Sequence, residues 1–147
     1  MKIFKFGGAS VKDADGVKNV LSVLEKVGYE DVLLVISAMG KTTNALEVVI
    51  KNYFDKSEAL NASVQEVRKY HNQILLELFE DDKHPVFKAI NSHFEDLDYF
   101  LSHNKSPNYN FVYDQVVSYG ELVSTTIVSH FFNYNGLKNN WIDVRQF

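Results

Sequence analysis

The chain has 147 residues, 46% apolar and 23% charged, with a formal net charge of −4 and no cysteine. That length makes one ordinary domain with enough apolar side chains for a core, which excludes a disordered polymer. The mild acidity argues against a general nucleic-acid surface, and the lack of cysteine excludes disulfide scaffolds, thiol nucleophiles and Cys-based zinc sites. No apolar run approaches membrane-spanning length, and the N-terminus enters a strand-like segment with no signal-peptide pattern. The expectation is a soluble cytoplasmic protein with neither nucleic acid nor membrane as partner.

Lys2 to Phe6 read as a short strand of aromatic and branched side chains, stopped by Gly7-Gly8. Asp13 or Asp15 is placed to cap the following helix. That helix carries Val17, Val20, Leu21, Leu24 and Val27 at amphipathic spacing, and Gly28 stands where a helix-ending residue belongs. Val32 to Ile36 form a continuous apolar run, the pattern of a strand buried on both faces in a parallel sheet. A second helix shows Leu46, Val49, Ile50, Tyr53 and Phe54 on one face. Strand, helix, strand, helix is an α/β unit, and its crossover is expected to be right-handed.

Residues 57 to 102 read as two long helices, the second starting near Pro85. Residues 103 to 110 have loop composition, and another helix is expected from about Asp114 to Tyr134. Trp141 to Val144 read as a third strand. A parallel strand normally feeds a covering helix, so the expectation is a fragment of a longer α/β protein. The alternative is a small complete domain with a terminal strand.

Four segments can carry chemistry. In Lys5-Phe6-Gly7-Gly8-Ala9-Ser10, two glycines after a strand let backbone N–H groups approach an anion, and the next helix adds its positive end. A phosphate would pair a buried Lys5; the plainer reading is a tight turn after a strand whose lysine reaches water. In Ser37-Ala38-Met39-Gly40-Lys41-Thr42-Thr43-Asn44, Gly40-Lys41-Thr42 mimics the end of a Walker A motif. Val35 stands where the first glycine of that motif belongs, which disfavours a P-loop. What remains is an anion cradle at a helix N-terminus, or simply a cap made by Thr42 or Thr43. In Ser118-Tyr119-Gly120-Glu121-Leu122-Val123-Ser124, Glu121 and Ser124 share a helix face, and the carboxylate could accept a substrate ammonium or serve a helix's first turn. In Trp141-Ile142-Asp143-Val144-Arg145, the two charged residues could face a ligand or pair with each other. The five histidines show no metal-ligand spacing and read as surface or partly buried residues. The aromatics from Phe94 to Phe132 read as core or subunit-interface material.

In order and spacing, these segments together resemble the N-terminal part of the catalytic domain of the aspartate kinases, within the amino-acid kinase family. The resemblance spans essentially the whole chain. The opening motif in that family usually reads KFGGTS, and here Ala9 replaces the threonine. The resemblance implies a three-layer α/β/α fold around a partial parallel sheet, carbamate kinase-like, with a helical insertion at about residues 57–112. It implies that ATP, with Mg²⁺, phosphorylates the β-carboxylate of L-aspartate. Lys5 is then the catalytic lysine, and Lys5, Gly7, Gly8 and Ser37 lie at the nucleotide phosphates. Thr43 and Glu121 hold aspartate, with Ser10, Ser124 and Arg145 as secondary positions and no protein metal ligand. It also implies a C-terminal ATP lobe and regulatory ACT domains outside these residues, a homo-oligomeric parent, and an isolated chain with negligible activity. The alternatives are another amino-acid kinase, a non-catalytic dimerisation or binding module, and a P-loop-like NTPase using Lys41.

Overall fold

A computed structural model describes residues 1–147. Strand β1 (Lys2–Phe6) leads through a 3-10 turn (Gly8–Val11) into helix α1 (Ala14–Val27), then strand β2 (Val32–Ile36). Asp13 is the N-cap of α1, its Oδ1 accepting the Gly16 N–H at 2.8 Å, and Gly28 closes the helix with φ at 84°. The two strands pair in parallel with Phe6 opposite Ile36, so both run out at the same end of the sheet.

Helices α2 (Thr42–Phe54), α3 (Leu60–Leu78), α4 (Pro85–His103) and α5 (Tyr109–Tyr134) follow. Helix α3 packs on α2, and α5 packs on both α2 and α4. Their apolar stripes, with Phe4, Phe6, Leu34 and Ile36 from one face of the sheet, meet in a single core. Pro85 takes the first-turn position of α4 behind His84, whose Nδ1 accepts the Val86 N–H at 3.1 Å. The Asn108 side chain accepts the Phe111 N–H, which starts α5 five residues before the expected Asp114. None of these helices is long and apolar enough to cross a membrane.

Three expectations are corrected. Trp141 to Val144 are not a strand: the sheet has two strands, and a 3-10 turn follows at Val144–Gln146. The Asp143 side chain accepts the Arg145 N–H at 3.0 Å and so closes a local turn in place of a ladder. Strand β2 is not buried on both faces either, since Leu33 and Val35 are 40% and 45% exposed. Their face, shared with Ile3 and Lys5, turns away from the core. Finally, His71 is neither a surface nor a partly buried histidine but lies wholly inside the core.

Candidate active site

Because β1 and β2 are parallel, the glycine turn after β1 and the Ser37–Lys41 turn after β2 meet at one end of the sheet. The Ser37 N–H donates to Phe6 O and the Gly40 N–H to Gly8 O, each at 3.0 Å. A Cβ on Gly8 would stand 2.7 Å from Ala38 O and 2.9 Å from Gly40 O, so only glycine allows this approach. Gly40 itself has φ at +55°, a left-handed conformation that glycine adopts without strain. The N–H groups of Gly7, Ala38, Met39, Thr43 and Asn44 find no acceptor in the protein. The last two belong to the first turn of α2, where the helix dipole adds positive potential. An oxyanion is the natural acceptor for such a set.

Helix α5 is fastened to the second turn. A Cβ on Gly120 would lie 3.0 Å from Ala38 Cβ and 3.4 Å from Leu46 Cδ1, so this glycine lets α5 press against the loop. The buried Ser124 hydroxyl donates to Ser37 O at 2.7 Å. Between them stands Glu121, exposed and mid-helix, so the helix-start explanation for this residue falls away. Glu121 lines a cleft of about 840 Å³, together with Val35, Ser118, Trp141, Asp143 and Arg145. Lys5 is the register partner of Val35 on the same exposed face.

The remaining positions divide. Thr43 is half-buried in the first turn of α2. Ser10 is exposed, its N–H donating to Gly7 O. Lys5 is solvated rather than buried, so folding does not demand an anion beside it. Neither threonine caps α2: the N-cap is Lys41, and the Thr42 hydroxyl donates to Met39 O at 2.6 Å. Val35 sits inside β2, so no P-loop glycine precedes Gly40. Arg145 and Asp143 pair, with Nη2 2.7 Å from Oδ2. That guanidinium holds the Asp143 carboxyl below its usual range and is itself raised by the carboxylate.

The amino acid kinase family profile matches residues 1–147. The chain belongs to that family.

Among its relatives are the bifunctional aspartokinase/homoserine dehydrogenase 2 of Escherichia coli, 28% identical over 99% of this chain, and aspartokinase 1, chloroplastic, of Arabidopsis thaliana, 30% identical over 96%. The chain spans 18% and 25% of those two proteins. Two crystal structures of E. coli aspartokinase III share the fold. One, with aspartate and ADP, superposes with a TM-score of 0.82 at 23% identity. The other, with lysine and aspartate, gives 0.79 at 25% identity. Each aligns over 99% of this chain, which covers 31% and 32% of the respective aspartokinase chains.

In this member of the amino acid kinase family the sequence reading missed two residues that touch the turns, Tyr70 and His71 on α3. The only signal was positional: His71 fills a gap in the apolar stripe Val64, Val67, Ile74, Leu75, Leu78. Nothing local ties that stripe to a loop some thirty residues away.

Proposed function

We propose that the chain is the N-terminal part of the catalytic domain of an aspartate kinase. That enzyme transfers the γ-phosphoryl group of ATP to the β-carboxylate of L-aspartate, giving aspartyl phosphate and ADP. One observation carries the reading. The turn after β1, the turn after β2 and the Gly120–Ser124 stretch of α5 are joined by Gly40 N–H to Gly8 O and Ser124 Oγ to Ser37 O.

The chemistry suits those groups. The attacking carboxylate is ionised at neutral pH and needs no general base. The obstacle is the approach of two anions, which positioning and fixed positive charge overcome. Lys5 and the amides of Gly7 and Gly8, with Ser37, neutralise and orient the phosphates. Thr43 at the start of α2 and the Glu121 carboxylate hold aspartate, Glu121 through the α-ammonium. Ser124 acts on Ser37 through the backbone, and Ser10 and Arg145 lie further out. Mg²⁺ shields phosphate charge when bound. No group of three or more His, Asp or Glu is present to hold it, so no step here is assigned to a protein-bound metal.

Titrating the 147-residue chain with L-aspartate and with ADP, followed by amide NMR, tests the reading. Aspartate is expected to shift Ser37 to Asn44, and Glu121→Gln to abolish that response. ADP is expected to bind weakly and to lose its response in Lys5→Ala. A nucleotide response that survives Lys5→Ala and vanishes in Lys41→Ala would replace this assignment with the P-loop one. Trapping of acyl phosphate with hydroxylamine is expected to show no turnover by the isolated chain; turnover at an ordinary kinase rate would contradict the division of the site proposed here.

A further inference from the structure

Helix α3 reaches both strand-end turns through consecutive residues. The Tyr70 hydroxyl donates to the Lys12 carbonyl, just after the 3-10 turn that follows β1. The same hydroxyl occupies the space beside Gly40, where an added Cβ would stand 2.6 Å from it. The His71 ring, with no exposed surface, sets its Nδ1 2.8 Å from Val67 O. A carbonyl only accepts, so Nδ1 carries the hydrogen and Nε2 presents a lone pair. The Thr42 hydroxyl gives its one hydrogen to Met39 O at 2.6 Å, so Nε2 meets Oγ1, 3.4 Å away, in packing contact only. Burial keeps this imidazole neutral by pushing it down to about 4. One tyrosine therefore holds Lys12 on the first side and stands against Gly40 on the second.

We infer that Tyr70 is a positioning residue of the candidate anion site, fixing the turn after β1 against Gly40 in the turn after β2. What the site binds rests on the function proposed above; the restraint on the turns does not. Ordinary core packing is the competing explanation, and it separates cleanly. Packing depends on ring volume, whereas positioning depends on the Tyr70 hydroxyl.

The experiment compares the wild-type chain with Tyr70→Phe, which keeps the ring volume and removes the hydroxyl. Three quantities are read: amide hydrogen exchange at Gly40 and Thr42, the L-aspartate titration, and the melting temperature. Positioning requires roughly fivefold faster exchange and weaker aspartate binding in Tyr70→Phe, the scale of one lost hydrogen bond. Unchanged exchange in Tyr70→Phe overturns the inference. So does faster exchange with unaltered affinity, because the turns are then restrained without consequence for the site. If wild type ignores aspartate altogether, the proposed function fails for this chain, and the exchange comparison alone decides whether α3 restrains the turns.

Discussion

Gly40 shows how one residue answers two demands. Its φ of +55° suits glycine, and the Tyr70 hydroxyl leaves no room for a β-carbon. Gly40→Ala is expected to cost about 1–3 kcal/mol, read from urea unfolding, with Tyr70→Phe relieving the crowding but not the backbone strain. At Gly8 the obstructing atoms are the carbonyl oxygens of Ala38 and Gly40, which cannot swing aside as a side chain does. Buried His71 makes the contrary demand of staying neutral. Its pKa is about 4 when folded, against 6.5 for a free histidine. The unfolded chain thus takes up the proton first as pH falls. The stability this group confers is complete above pH 6.5 and is lost between there and pH 4, by about 3 kcal/mol in all. His93 and His130 are also lowered, chiefly by burial, and act in the same direction. Urea midpoints across pH 4 to 7 are expected to fall steadily on the acid side, with His71→Gln flattening the slope; an unchanged slope in that variant would show that His71 is not the group responsible.

At the scale of elements, the structure depends on α5 being tied to the end of β2. Ser124→Ala removes a buried hydroxyl and leaves Ser37 O without its donor. The expected loss is about 1–2 kcal/mol in thermal or urea unfolding, together with faster amide exchange in the Ser37–Lys41 turn. The same elements show what a sequence makes readable. Asp13 and Gly28 mark the ends of α1 because caps are local chemistry, settled within a few residues. The parallel pairing of β1 and β2 follows from strand, helix and strand in succession. Trp141 to Val144 read wrongly because strand propensity ignores the competing bond from Asp143 to the Arg145 N–H. The site divides in the same way. Gly8 and Gly40 could be picked out as turn glycines, but the fit of Gly120 against Ala38 and the reach of Tyr70 to Lys12 are long-range packing, which no window of sequence contains.

For the whole molecule the decisive fact is a sheet of two strands, each with one unpaired edge. Ile3, Leu33 and Val35 add an apolar face to those edges, at 63%, 40% and 45% exposure, with Lys5 as the one cation among them. Unpaired backbone donors and acceptors beside exposed apolar side chains are a template for adding strands. In the isolated chain the available strands belong to other copies, so sedimentation velocity is expected to show association that rises with protein concentration. The double variant Leu33→Lys, Val35→Lys should suppress it, since charges on an edge strand discourage pairing while their stems still cover the sheet. Because both positions face away from the core, that variant is expected to unfold within about 1 kcal/mol of wild type. A chain that stays monomeric at every concentration would mean that the cleft wall formed by α5 and residues 137–145 already shields the β2 edge. A double variant that fails to fold would mean that Leu33 and Val35 are packed more deeply than their exposure indicates, and with them the face on which Lys5 opens.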